Sequence, residues 1–122
     1  MKKILFIEDE EAFQRTFEDV LQREKYEVVK ALDGEIGLRL AKSEKPDLII
    51  LDLVLPKMHG FEVLKGLKKD KETKNIPVII LTNLERPKDV ERALDLGATT
   101  YLVKTSYGLE DIIDKVKKIL KK

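Results

Sequence analysis

The segment Leu48-Ile49-Ile50-Leu51-Asp52-Leu53 decides the fold class, because it is an apolar run interrupted by a single acid near its end. A short apolar run without polar alternation is typical of a strand that is buried on both faces, as in a parallel sheet covered by helices. Four other short runs share this character, at Lys3 to Ile7, Tyr26 to Leu32, Pro77 to Leu81 and Thr99 to Val103. The sequence therefore predicts about five strands.

Amphipathic helices are predicted between these strands. Apolar residues spaced three and four apart occur near both ends of the chain, at Phe13, Phe17, Val20 and Leu21 and at Leu109, Ile112, Ile113, Val116, Ile119 and Leu120. Gly60 to Lys69 and Pro87 to Leu96 are predicted as two further helices, the second with proline in its first turn. Strands that alternate with helices need crossover connections. We therefore expect a doubly wound α/β domain, with helices on both faces of a parallel sheet.

Composition narrows the classes of function. The 122 residues suit one domain, spanning residues 1–122, and no linker, repeat or output domain is visible in them. The net charge of +1 gives no bulk field for nucleic acid or an anionic membrane, and the absence of cysteine excludes disulfides and thiolate metal sites. The apolar run that ends at Ile7 is too short for a signal peptide or a membrane span. We expect a soluble, cytoplasmic protein that acts through a local site.

Polar side chains close four of the predicted strands. The first run closes with Glu8-Asp9, the third with Asp52, the fourth with Thr82 and the fifth with Lys104. Ligands of open α/β sheets bind beyond the carboxyl ends of the strands, so we expect these groups to converge. Carboxylates about 5 Å apart repel by roughly 3 kcal/mol at an effective dielectric near 20, which favours a divalent cation among them. Oxygen ligands without His or Cys select Mg²⁺ or Ca²⁺, and a small number of protein ligands favours Mg²⁺. The predicted set is Asp9, Asp52 and a backbone carbonyl near Val54.

Each of these residues also has an ordinary structural interpretation. The acids from Glu8 to Glu11 suit the N-terminus of a helix, where they complement its dipole. Asp52 alone suits a strand end, Thr82 a capping hydroxyl and Lys104 a solvated cation. Their coincidence at matching strand ends is what favours a site. His59, the single histidine, is interpreted as an exposed loop residue without a function.

With these residues placed, the sequence resembles the receiver-domain family of response regulators over essentially its whole length. The matching positions are Glu8-Asp9 for the acidic pair, Asp52 for the phosphoacceptor, Pro56 and Gly60 for the following loop, Thr82 for the switch hydroxyl, Tyr101 for the switch aromatic and Lys104 for the essential lysine. The resemblance implies a flavodoxin-like sheet of strand order 2-1-3-4-5.

The resemblance also implies a reaction and its partners. Asp52 would accept a phosphoryl group from a sensor histidine kinase, a phosphotransfer protein or a small phosphodonor, so that the protein is primarily a switch that catalyses its own phosphorylation and dephosphorylation. Mg²⁺ would be held by Asp9 and Asp52, with Glu8 acting through water, while Lys104 supplies a second cation. Thr82 and Tyr101 would then reshape a face made by the fourth helix, fifth strand and fifth helix, where a downstream protein binds. We expect a monomer before phosphorylation and allow a dimer after it.

Several positions depart from the family pattern. Thr105 replaces the proline that usually follows the lysine, often after a cis bond, and a cis non-proline bond costs about 2.5 to 4 kcal/mol, so we expect trans geometry before Thr105. Asn83 replaces a very small residue. Val54 and Leu84 are apolar beside the phosphoryl position, and this predicts a phosphoryl group of long lifetime.

Two other classes of protein stay open at this point. A pseudo-receiver is a related interaction module that signals without phosphorylation, but it usually lacks one of the key residues, all of which are present here. A flavodoxin-like FMN protein would need a hydroxyl- and amide-rich loop after the first strand, where this chain has four acids, Glu8 to Glu11.

Overall fold

A computed structural model describes residues 1–121 and contains a five-stranded sheet of order β2-β1-β3-β4-β5. All neighbouring strands pair in parallel. The strands are β1 Lys3–Ile7, β2 Glu27–Ala31, β3 Leu48–Leu51, β4 Val78–Thr82 and β5 Thr100–Val103. This confirms the doubly wound parallel architecture and the strand order that the resemblance implied.

Residues 1–121 contain five α-helices, of which four connect successive strands and the fifth follows β5. They are α1 Glu11–Arg23, α2 Gly34–Glu44, α3 Gly60–Lys69, α4 Pro87–Asp95 and α5 Leu109–Leu120, and a short 3-10 turn, Lys104–Ser106, follows β5. The predicted limits of α3 are confirmed, and Pro87 begins α4 as expected. The sequence patterns gave no limits for α2, in which the Asp33 carboxylate caps the helix by accepting a hydrogen bond from the Ile36 N–H at 2.9 Å.

The predicted strands were too long or displaced at several ends, for identifiable reasons. β3 ends at Leu51 rather than Leu53, because the chain turns there and the Leu53 carbonyl accepts a hydrogen bond from the Gly60 N–H at 2.9 Å. β4 includes Thr82, which pairs with Val103 of β5. Thr82 is therefore the last residue of the strand rather than the first residue after it.

The core lies in two layers, one on each face of the sheet. Leu5 and Ile7 of β1 point to the layer that α2, α3 and α4 cover, whereas Ile4 and Phe6 point to the layer that α1 and α5 cover. This alternation follows from the two-residue period of a strand. It confirms that helices cover both faces.

Peptide-bond geometry and helix length also bear on the predictions. Every peptide bond in the described residues is trans, which confirms the geometry expected before Thr105. No helix within residues 1–121 is long and apolar enough to cross a membrane.

Candidate functional site

Three acids meet at the carboxyl ends of the strands. Glu8 and Asp9 follow β1 and Asp52 follows β3, and one carboxylate oxygen of each lies within 4.8 Å of the others. Glu8 and Asp52 are buried, whereas Asp9 is exposed. They line a cleft of about 400 Å³ together with Glu10, Val54, Asn83 and Lys104. The structure thus brings together the predicted acids and the predicted lysine.

Sheet pairing sets the position of these acids. Ile7 of β1 stands opposite Leu51 of β3, and the Asp52 N–H donates to the Ile7 carbonyl at 3.0 Å. The first and third strands are also where the strand order reverses, the usual location of ligand sites in such sheets. The acids consequently stand side by side because their strands are neighbours.

The Lys104 ammonium bridges two of the carboxylates. Its Nζ lies 2.7 Å from Glu8 Oε1 and donates a hydrogen bond to Asp52 Oδ2 at 3.0 Å. A third acid, Glu10, is more distant, with Oε1 3.8 Å from Nζ and its side chain mostly exposed. The Lys104 side chain is only 8% exposed, so these contacts operate largely away from solvent.

The pKa values of this group reflect the crowding of charge. Burial raises the pKa of Glu8 to about 7, although the Lys104 ammonium and the Glu10 backbone N–H act in the opposite direction. Burial alone would lower the pKa of Lys104, but the carboxylates of Glu8 and Asp52 outweigh it and raise that pKa above its ordinary value. Burial of Glu8 and the two carboxylates beside Lys104 therefore both favour retention of protons at the site.

The donor set fits a hard divalent cation. Among residues 1–121, Glu8 Oε1 is a buried side-chain oxygen that lacks a hydrogen-bond partner, because its close ion pair with Lys104 is not aligned as a hydrogen bond. Three carboxylates and no soft ligand are the kind of donors that Mg²⁺ or Mn²⁺ prefers. A cation among them would also offset their mutual repulsion.

A model of the response regulator receiver domain family matches residues 4–117 of this chain. The chain belongs to this family. It is 40% identical over 121 residues to the alkaline phosphatase synthesis transcriptional regulatory protein PhoP of Bacillus subtilis, covering 99% of this chain and 49% of that protein. The receiver domain thus spans about half the length of that relative.

Two solved structures share the fold over nearly the whole chain. The BeF3-activated N-terminal receiver domain of RstA from Klebsiella pneumoniae is 26% identical with a TM-score of 0.91, covering 99% of this chain and 100% of that chain. The Mn(2+)-bound form of the response regulator Rcp1 is 34% identical with a TM-score of 0.80, covering 98% of this chain and 91% of that chain. These likenesses agree with the family assignment.

The two predicted switch residues of the receiver domain lie beside the cleft rather than in its lining. Thr82 is fully buried, and its Oγ1 accepts a long hydrogen bond of 3.5 Å from the Leu84 N–H. The Tyr101 hydroxyl donates to the Leu84 carbonyl at 2.8 Å. Burial, with a smaller effect of Asp89 and Asp52, raises the pKa of Tyr101 to about 12, so this hydroxyl keeps its proton. The loop after β4 is thereby tied to both residues.

Two of the positions that depart from the family pattern line the cleft of the receiver domain, and a third lies beside it. Val54 is 52% exposed and lines the cleft with Asn83, whereas Leu84 lines a neighbouring groove. The Val54 N–H donates to Asp52 Oδ1 at 3.1 Å, so Asp52 accepts a hydrogen bond at each oxygen, one from this amide and one from Lys104. The role of the Val54 carbonyl as a metal ligand stays a prediction.

Two residues of α1 that support the receiver site were missed at the level of sequence. The Gln14 side-chain amide is buried and donates to the carbonyls of Phe6, Glu8 and Ala31, each at 3.2 Å. The Phe13 ring lies beneath the Lys104 ammonium. A signal for Gln14 did exist, since it shares the buried helical stripe of Phe17 and Leu21, where a polar side chain needs a partner.

Proposed function

We propose that this receiver domain accepts a phosphoryl group on Asp52 in a Mg²⁺-dependent reaction and relays that state to a protein partner. The observation that carries the proposal is the placement of the Asp52 carboxylate. One of its oxygens contacts the Lys104 ammonium at 3.0 Å, and two further carboxylates lie within 4.8 Å. A nucleophile beside a fixed cation and a set of hard ligands suits phosphoryl transfer, which depends mainly on positioning and electrostatics.

In the proposed reaction, a lone pair of the Asp52 carboxylate attacks phosphorus in line with the leaving group. A bond forms between the carboxylate oxygen and phosphorus, and the bond from phosphorus to the donor breaks. The donor is a histidine kinase or phosphotransfer phosphohistidine, whose imidazole leaves with the bonding pair and takes up a proton, or a small phosphodonor. The product is an acyl phosphate.

The residues around Asp52 have separate tasks in this proposal. Lys104 holds its ammonium where negative charge develops on the phosphoryl oxygens. Asp9 and Asp52 would hold Mg²⁺ with the Val54 carbonyl, and Glu8 would act through water. When bound, the cation supplies charge neutralisation between nucleophile and phosphoryl group. The RstA receiver domain is BeF3-activated and Rcp1 has a Mn²⁺-bound form, which supports a comparable metal and activated state here.

The same proposal includes a switch. The Thr82 hydroxyl would donate to a phosphoryl oxygen, a charge-assisted contact worth about 1.5 to 3 kcal/mol, which shifts a two-state equilibrium roughly 10- to 100-fold. Leu84 follows Thr82 in the chain and binds Tyr101 through its carbonyl, so a movement of this loop reaches β5. The partner surface is the face of α4, β5 and α5, and the partner is a protein rather than nucleic acid.

The proposal is tested by incubating the protein with acetyl phosphate and Mg²⁺ and measuring the intact mass. We expect a gain of one phosphoryl group that disappears with a chelator and in Asp52→Asn. Asp19→Asn, which removes an exposed carboxylate from α1, is the matched control and should be phosphorylated like the parent. A parent that shows no gain would contradict acceptance from small donors and would favour a pseudo-receiver or a strictly kinase-dependent site.

The switch is tested separately by comparing amide chemical shifts before and after phosphorylation. We expect shifts on α4, β5 and α5 in the parent, and a loss of most of them in Thr82→Ala despite phosphorylation at Asp52. Equal shifts in both proteins would count against a role of the Thr82 hydroxyl.

A further inference from the structure

The Lys104 ammonium lies over an aromatic ring of α1, that of Phe13. The Nζ atom lies 4.5 Å from the centroid of the Phe13 ring, well within the range of a cation–π interaction. Its other close neighbours are the carboxylates of Glu8 at 2.7 Å and Asp52 at 3.0 Å, with the mostly exposed Glu10 at 3.8 Å. The ammonium thus contacts one aromatic face from α1 and two buried acids that follow β1 and β3.

The ring itself is fixed by a small aromatic cluster. Phe13 makes an edge contact with Phe6, with ring centroids 6.2 Å apart, and a tilted contact with Phe17 at 5.8 Å. Phe6 and Phe17 are fully buried and contact each other at 5.3 Å. Phe13 is the partly exposed member of this cluster and the one that reaches the lysine.

β5 anchors the backbone before Lys104, but the backbone that follows it offers little independent support. Lys104 begins a 3-10 turn of three residues, and residues 105–108 are all exposed. Thr105 follows the lysine through a trans bond. The position of the ammonium therefore depends on what its side chain contacts rather than on a buried loop.

We propose that Phe13 is a positioning residue for Lys104, holding the ammonium over Asp52 through its aromatic face. This inference rests on the proposed phosphoryl transfer for its effect on rate, but the placement of Lys104 is a property of the unphosphorylated protein. The ring can restrain the cation without competing for it as a further carboxylate would, because its attraction comes from the quadrupole of the face. The side chain can then turn its donors toward a phosphoryl oxygen while it stays above the ring.

The experiment compares Phe13→Leu and Phe13→Met, which keep an apolar side chain, with Phe13→Tyr, which keeps the ring. Tyr26→Leu is the matched control, because it removes a ring packed against the same core layer at the opposite edge of the sheet, where β2 begins. Circular dichroism verifies that each variant is folded. The measurements are the Lys104 Hε chemical shifts and Cε relaxation, the Mg²⁺ affinity, and the initial rate of phosphorylation by acetyl phosphate at saturating Mg²⁺.

We expect the upfield ring-current shift of Lys104 to disappear and its Cε mobility to rise in Phe13→Leu and Phe13→Met. Phosphorylation should slow by about five- to tenfold, the range that a partly desolvated cation–π contact can account for. Mg²⁺ affinity should change by less than about twofold, because a phenyl ring supplies no ligand atom to the proposed metal site. Phe13→Tyr should retain both the shift and the rate.

The proposal is overturned if Phe13→Leu keeps the Lys104 Cε mobility of the parent, or raises that mobility without any change in rate. It is also overturned if Tyr26→Leu slows phosphorylation as much as Phe13→Leu, since the effect would then belong to general packing. Failure of the parent to accept phosphate from any donor would refute the proposed function instead. In that event the Lys104 Cε mobility alone decides whether Phe13 holds the lysine.

Discussion

Replacing Asp9 with Asn should change stability in opposite directions without and with Mg²⁺. Asp9 is the exposed member of the three-carboxylate cluster, whose oxygens lie within 4.8 Å of one another. At that separation two unit charges repel by about 3.5 kcal/mol at a dielectric near 20 and by about 1 kcal/mol in water. Because Asp9 is exposed, screening favours the lower figure. In a chelating buffer, Asp9→Asn should therefore raise the free energy of unfolding by about 1 kcal/mol.

Mg²⁺ should reverse the order of the two proteins. A cation present at about 100 times its Kd stabilises the parent by about 2.7 kcal/mol. Mutation of residues outside the ligand shell can weaken metal binding by about 100-fold, and loss of a charged ligand should weaken it at least as much. Mg²⁺ should then raise the free energy of unfolding of Asp9→Asn by only about 0.4 kcal/mol. The parent should then be the more stable protein by about 1 kcal/mol.

Urea unfolding, followed by circular dichroism in chelator and in Mg²⁺, measures both differences. Asp19→Asn, an exposed change on α1 away from the cluster, should stay within about 0.5 kcal/mol of the parent in each buffer. The electrostatic reasoning is refuted if Asp9→Asn is less stable than the parent in chelator. The assignment of Asp9 as a metal ligand is refuted if Mg²⁺ stabilises both proteins equally.

Three other perturbations test separate parts of the structure. Gly60→Ala would place a Cβ 2.3 Å from the Leu53 Cα and should lower the free energy of unfolding in urea by about 2 to 3 kcal/mol. Gly66→Ala on the same helix is the control, because its Cβ meets only a flexible leucine side chain, and it should change the free energy of unfolding by less than about 1 kcal/mol. Gln14→Met removes the donor to three strand-end carbonyls and should cost about 1 to 3 kcal/mol by the same assay. Val54→Asn should shorten the phosphoryl lifetime, measured by intact mass over time; a half-life of seconds in the parent would contradict the shielding that Val54 is expected to provide.

The strands and most of the site residues were predictable because both depend on local signals. A buried parallel strand is a short apolar run, and its end is marked by the first polar residue, as at Glu8 and Asp52. Parallel pairing then brings such ends together without any further information. The family resemblance added the strand order and the roles proposed for Thr82 and Tyr101, which periodicity alone could not supply.

The supporting contacts were less predictable because they depend on how helices dock. Phe13 has the spacing of a core residue, and nothing in that pattern says that its ring faces an ammonium rather than only other apolar groups. A glycine inside a helix ordinarily costs about 1 kcal/mol relative to alanine, but a Cβ at Gly66 would lie 3.2 Å from Leu38 Cδ2 of α2, so the missing side chain leaves room for Leu38 against α3. Such effects arise only between elements that are distant in sequence.

The Asp52 N–H donates a hydrogen bond to the Ile7 carbonyl at 3.0 Å, which ties the site to the central strands during local opening motions of the protein. Amides in central strands exchange with solvent only through the largest openings, while frayed ends and exposed turns exchange through small ones. The Asp52 amide should therefore exchange in deuterium oxide as slowly as those of β1 and β3, and the amides of residues 105–108 much faster. The backbone that carries the nucleophile would then open only when the whole molecule unfolds, whereas the turn after Lys104 opens many times for each such event.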